Sequence, residues 1–203
     1  MNERFYLLKI QLCNIEPEIW RRFVVPASIT LDRLHDVMQI VMGWTDSHLY
    51  EFTIGKKRYT EYPASKEEGL ECGEYRLVDL IKQKGRTFSY LYDFGDFWNH
   101  LLTIEESRYS GTEITCLDGA RACPPEDIGG VSGYDNFCSA LLDPHHEEHE
   151  SCMEWSGGDY DSEEFKTPAV NWELTKYMRW SRPRYLHGQG ICPRGDARWE
   201  RLR

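Results

Sequence analysis

The chain has 203 residues, with 34 acidic and 24 basic side chains and a formal net charge of −10. That balance excludes nonspecific adhesion to nucleic acid over the whole surface, because neutralising phosphate takes a concentrated basic face. With 40% hydrophobic and 13% aromatic residues, the chain carries enough apolar mass for a core, which excludes disorder over most of its length.

No apolar stretch approaches the ~20 residues that span a bilayer; the longest, Val37 to Met42, is interrupted by Gln39. Met1 to Ile10 shows no charged segment followed by an apolar run, so no signal peptide, no membrane and a cytoplasmic address are expected. The seven cysteines (13, 72, 116, 123, 138, 152 and 192) are odd in number and lack CxxC spacing, so reduced thiols are expected.

Phe5 to Leu12 alternates apolar and polar residues, and Glu18 to Val25 is rich in aromatic and β-branched ones; a turn at Asn14 to Pro17 joins two strands. Thr30 opens a helix as its N-cap, with Asp32 in the first turn. Leu31, Leu34, Val37, Met38, Val41 and Met42 follow at helical spacing as one stripe facing a sheet, and Gly43 stops the run. His48 to Ile54 alternates again, with His48, Tyr50 and Phe52 on one face. Lys56 to Gly73 reads as a polar connection, and Leu77 to Ile81 as a short helical turn.

Thr87 to Phe94 and Phe97 to Ile104 form a hairpin about Gly95, the residue expected at positive φ. Gly111 to Gly133, with two Pro and five Gly, reads as a long irregular loop, and Tyr134 to Leu142 as a helix. Asp161 to Glu164 reads as a capping box opening a short helix before Pro168, and Val170 to Trp180 as a last helix. The expected fold is α+β: one domain over residues 1–178, a mostly antiparallel or mixed sheet with helices packed on it, then an Arg-rich tail over 179–203.

Ile19-Trp-Arg-Arg22, Leu31 to Trp44 with His48 to Phe52, Tyr92-Asp-Phe-Gly-Asp-Phe-Trp-Asn-His100, Gly119 to Asp127 with Gly129-Gly130, and Asp161 to Asn171 follow one another in that order. This ordered set, over roughly residues 3 to 175, resembles the plasmid pRiA ORF-three-like family, whose members are also described as passenger proteins of insertion elements resembling those called TnpR. The resemblance implies an α+β fold and an association with plasmids and transposons, and no established enzymatic activity. The chain departs from the family pattern at Ile128, where relatives often carry Cys, so a cysteine metal site using that position is not expected.

Asp93, Asp96 and His100 form the sharpest candidate site. On a strand starting at the turn, Asp96, Trp98 and His100 share a face, with Asp93 just before Gly95. Two carboxylates and an imidazole suit a divalent metal or acid/base work, with His48 as a fourth ligand. The plainer alternative is that both Asp side chains hold turn amides and His100 pairs with one of them across the sheet.

Cys116 and Cys123 are weaker zinc candidates, against a reading as small buried residues in a Pro-fixed loop anchored by Arg121 and Glu126. His145 and His149 stand one turn apart on an expected helix, against a reading as a solvated acidic face. The tail's Arg179, Arg182, Arg184, Arg194 and Arg198, interleaved with Trp180, Tyr185 and Trp199, have the composition of a nucleic-acid or acidic-protein contact, against a disordered tail or one docked on the acidic body. The tail sums to about +5 and the rest to about −15, from seven Arg against Asp196 and Glu200.

With no Ser-His-Asp elbow, P-loop or GxGxxG, the leading reading is a noncatalytic binding or accessory protein associated with mobile genetic elements. The alternatives are a metal-dependent hydrolase or nuclease using Asp93, Asp96 and His100, with a divalent metal as cofactor, and nucleic-acid binding through the tail.

Overall fold

Alternation decides the first strands. In β1 (Phe5–Leu12) the side chains of Tyr6, Leu8, Ile10 and Leu12 enter the main core, while Phe5 and Leu7 meet Val24 and Tyr109 in a small cluster of their own. The period of two that splits them is the pleat of a strand. β2 (Trp20–Pro26) pairs antiparallel with β1, with Leu8 opposite Phe23.

The structure is a computed structural model that describes residues 4–180. Arg182, Arg184, Arg194 and Arg198 therefore lie outside the described residues, as does the side chain of Arg179. After β2 come α1 (Leu31–Met42), β3 (Tyr50–Ile54), β4 (Lys57–Thr60), β5 (Leu70–Glu71), α2 (Leu77–Leu80), β6 (Thr87–Tyr92), β7 (Trp98–Tyr109), β8 (Thr115–Ala120), α3 (Gly130–Leu142), α4 (His149–Trp155) and α5 (Thr167–Trp180). The strands form one eight-stranded sheet in the order β5-β4-β3-β6-β7-β1-β2-β8. Every pairing is antiparallel except that of β4 with β5. The fold is α+β and a single domain, as the residue pattern implied.

Helix α1 is buried on nearly every side, which an apolar stripe alone does not explain. Its polar residues are matched one by one. His35 and Gln39 reach Tyr90 of the sheet, and Asp36 accepts the Tyr177 hydroxyl of α5 at 2.8 Å. The helix is thus held between sheet and α5. Gly43 ends it at φ 109°, its N–H bonded to the Gln39 carbonyl. Thr30 has the backbone of a cap, but its hydroxyl donates to Asp32 instead of accepting a helix amide.

Three segments differ from the sequence reading. The polar stretch 56–73 contains β4 and β5: Tyr59, 1% exposed, anchors β4 in the core, and β5 pairs with Tyr59 and Thr60 at the edge of the sheet. The Gly-rich stretch 111–133 contains β8 and the start of α3. Strand β8 is short and charged, but it pairs with β2 on one side, and on the other Asn171 of α5 bonds both the N–H and the carbonyl of Cys116. Asp161 to Phe165 is a turn and not a helix: Asp161 Oδ1 accepts the Glu163 N–H, and its carbonyl accepts that of Glu164. Helix α5 begins before Pro168, which fits the first turn because no intrahelical N–H is needed there.

A buried cation locks the helical layer to β2. Arg21, 1% exposed, gives Nε–H to the Val41 carbonyl at the end of α1 and Nη1–H to the carbonyls of Trp20 and Ala120. Its guanidinium lies 4.0 Å from the Phe165 ring centroid. Carbonyls at a helix C-terminus carry partial negative charge, so they offset the cost of burying the cation.

Candidate functional site

The β6–β7 turn is built by aspartate and not by the expected glycine. Asp93 and Phe97 take the left-handed conformation, at φ 59° and 62°, whereas Gly95 does not. Asp tolerates that region because its side chain bonds the local backbone: Asp93 Oδ1 accepts the Gly95 N–H at 2.7 Å. A Cβ at Gly95 would sit 3.2 Å from that oxygen, so the glycine makes room for the carboxylate. With Oδ1 committed, Oδ2 of Asp93 turns toward His48.

His48 precedes β3, in a segment stitched to the Pro124–Asp127 loop. Trp44 donates to the Pro124 carbonyl at 3.0 Å, the Thr45 N–H to Glu126 at 3.0 Å, and the Ser47 N–H to the Tyr92 hydroxyl at 3.0 Å. Tyr92 in turn donates to Glu126. Burial, then Glu126, push the Tyr92 phenol up, so it stays a neutral donor. Asp127, at φ 58°, completes the ring.

Three carboxylates therefore face one imidazole nitrogen. His48 Nε2 is 3.2 Å from Asp127, 3.7 Å from Asp93 and 3.7 Å from Glu126. The nitrogen is shielded from solvent and makes no hydrogen bond among the described residues. Donor atoms of His48, Asp93 and Asp127 all lie within 4.8 Å of one another. Ligands about 2.0–2.3 Å from one divalent ion stand about 3–4.5 Å apart, which is this spacing.

The residues singled out from sequence are distributed differently. Asp93 and His48 meet here; Asp96 and His100 do not join them. Asp96 Oδ2 accepts the Gly129 N–H at 3.0 Å, at the start of α3. His100 is 1% exposed and bonds the Tyr90 carbonyl through Nδ1, with Trp44 edge-on at 5.1 Å. Burial pushes its pKa down to about 3, so it is neutral. The strand that carries it begins at Trp98, and the alternation that aligned His100 with Trp98 aims both into the core.

His145 lies in a turn before α4, and His149 opens that helix with Nδ1 bonded to the Ala140 carbonyl at 2.7 Å; the helical pair expected from sequence does not form. Cys116 is buried, and burial raises its thiol to about 11; burial also raises that of Cys123. Among the described residues no cysteine belongs to a group of three metal donors.

A second donor group, His35, Asp36 and Asp46, is already spoken for. His35 Nε2 meets Asp46 at 2.8 Å, Nδ1 meets the Tyr90 hydroxyl at 2.7 Å, and the ring stacks on Tyr50 at 3.6 Å. It braces α1 against the sheet. Sequence reading missed Asp127 as a candidate ligand and gave Glu126 only the role of loop anchor. The signal was present in the Pro124-Pro125-Glu126-Asp127 run, where two prolines stiffen the approach of two acids.

Among the described residues no helix is long and apolar enough to cross a membrane. The chain is 45% identical over 160 residues to the uncharacterised protein y4hQ of Sinorhizobium fredii (strain NBRC 101917 / NGR234), covering 76% of this chain and 82% of that one. The crystal structure of a protein of unknown function, MM3350 from Methanosarcina mazei Go1, matches with a TM-score of 0.74 and 35% identity over 83% of this chain and 98% of that one. The model of the plasmid pRiA4b ORF-3-like protein family matches residues 4–169, and the chain belongs to that family.

Proposed function

We propose that this protein is a binding or accessory protein of mobile genetic elements whose ligand is a divalent cation, held by His48, Asp93 and Asp127 with Glu126 beside them. One observation carries the reading: the His48 nitrogen is shielded, makes no hydrogen bond among the described residues, and is faced by carboxylates at 3.2–3.7 Å from separate segments. One imidazole with carboxylate oxygens suits Mn2+ or Zn2+ better than a soft ion. The other oxygens of Asp93 and Glu126 are bonded to Gly95, Thr45 and Tyr92, which orients the ligands in advance.

A second reading, metal-dependent hydrolysis, is favoured by the exposure of Asp127, whose side chain is 74% accessible. A cation held from the protein side keeps its outer positions open there for water and substrate. Asp96 and His100 are not ligands in this reading: Asp96 holds the Gly129 N–H and His100 is buried against the Tyr90 carbonyl. The same overall reading includes a cytoplasmic address and a nucleic-acid or acidic-protein contact through the tail, supported by its charge of about +5; unchanged DNA binding after removing residues 181–203 refutes that contact.

Elemental analysis and thermal melting of untagged protein test the cation. Mn2+ or Zn2+ at about 100 times its Kd stabilises the fold by about 2.7 kcal/mol, and His48→Ala or Asp93→Asn removes the effect. A protein free of stoichiometric metal, with melting unchanged by Mn2+, Zn2+ and Mg2+, refutes the reading.

A further inference from the structure

The segment from Arg76 to Arg86 inverts the charge of the body. It carries Arg76, Lys82, Lys84 and Arg86 against Asp79 alone, in a chain whose first 178 residues sum to about −15. All four cations are exposed. None forms an ion pair among the described residues, although Arg22, Arg58 and Arg121 each find a carboxylate elsewhere. Four guanidinium or ammonium groups with no carboxylate partner among the described residues, on so acidic a body, are available to an outside anion.

The shape matches the charge. A recess of ≈ 430 Å³ opens at the start of α2, with Arg33, Arg76, Ser28 and Thr30 as its polar lining and Ile29 and Ile114 as apolar wall. Another of ≈ 460 Å³ opens past the end of α2, lined by Lys82, Arg86 and Thr87 with Ile54 and Leu80. Among the described residues no carboxylate lines either one. The acids beneath the first recess are committed: Asp36 to Tyr177 and Arg33, and Asp32 to Thr30. Arg33 is further steadied 5.3 Å from the Tyr177 ring centroid.

We infer that this basic face along α2 binds a single-stranded nucleic acid, its phosphates on Arg76, Lys82, Lys84 and Arg86 and bases against the apolar walls of the two recesses. Two recesses, each with two cations in its lining and reached from opposite ends of the Arg76–Arg86 stretch of chain, suit a repeating phosphodiester better than one small anion. Pockets with walls suit bases better than the flat headgroup plane of a bilayer. The face is independent of the His48 cation site. It borders the last described helix, from which the Arg-rich tail follows in sequence, since Met178 of α5 lines the first recess.

Fluorescence anisotropy of the full-length chain with a labelled 20-nucleotide thymidine strand tests the inference at 50 and 200 mM salt. Arg76→Glu and Lys82→Glu/Arg86→Glu are each expected to weaken binding at least tenfold. The slope of log K against log salt is expected to become shallower by about 0.7 for each phosphate no longer neutralised. These exposed substitutions leave the melting temperature unchanged, and Lys166→Glu, equal in charge but distant in sequence, leaves affinity within twofold. The inference is overturned if Lys166→Glu weakens binding as much, or if the α2 variants bind as the parent does, which assigns the strand to the tail. It is overturned equally if thymidine monophosphate binds as tightly as the strand, or if phosphatidylserine vesicles bind through these residues while the strand does not.

Discussion

Asp96 accepts the backbone N–H of Gly129 at 3.0 Å, and this bond fastens the turn that carries Asp93 to the loop that carries Glu126 and Asp127. The approach is close. A Cβ on Gly130, at φ 69°, would lie 2.6 Å from the Asp96 carbonyl oxygen. Asp96 also places a negative charge where α3 leaves its first amides unbonded, which the helix dipole favours.

Asp96→Ala is therefore expected to cost about 1–3 kcal/mol, the value of a hydrogen bond to a charged group. It should also weaken Mn2+ or Zn2+ binding about 10- to 100-fold, as loss of an orienting partner does. Gly130→Ala should act in the same direction by pushing the turn away. Urea unfolding with cation titration measures both; unaltered affinity in the two variants would show that the clamp does not shape the site.

His100 makes stability depend on pH. Its pKa is about 3 in the fold, against 6.5 ordinarily, so between these values the unfolded chain binds a proton that the folded chain refuses. Stability from this group is thus complete above about pH 6.5 and falls by about 1.4 kcal/mol per pH unit as acidity increases toward pH 3. His100→Phe keeps a flat ring in the core and removes the proton site. Its stability curve between pH 7 and pH 4 should be flatter than the parent's by that slope; parallel curves would exclude His100 as the source.

Arg21→Ala leaves the carbonyls of Val41, Trp20 and Ala120 without this donor. A loss on the order of 3 kcal/mol is expected, since unsatisfied buried groups dominate such changes. Arg21→Lys restores charge but not the fork that reaches separate carbonyls, so only part of the stability should return. Denaturant midpoints of the two variants check the order.

Asn171 bonds the N–H and carbonyl of Cys116 at 2.7 and 2.9 Å, standing in for a neighbouring strand. Asn171→Leu keeps the bulk and removes both bonds, with an expected cost of about 2–4 kcal/mol. It also uncovers the edge of β8, so concentration-dependent association should appear. Light scattering at matched stability separates the two effects.

Elements whose side chains repeat were legible in the residues alone. Alternation marked β1 and β3, β-like runs about Gly95 marked β6 and β7, helical spacing marked α1, and the left-handed stop fell at Gly43, because these patterns follow from backbone geometry within a few residues. His48 and Asp93 were likewise recognisable as candidate ligands. Which donors meet was settled only by the closing of the fold. Asp93 meets His48 and not Asp96 or His100, because its own carboxylate, by bonding the Gly95 amide, aims the free oxygen at a segment 45 residues earlier in the chain. His100 entered the core because the strand starts two residues beyond Asp96 and its pleat points Trp98 and His100 inward. Contacts between distant segments are fixed by how the core closes, and no local period records them.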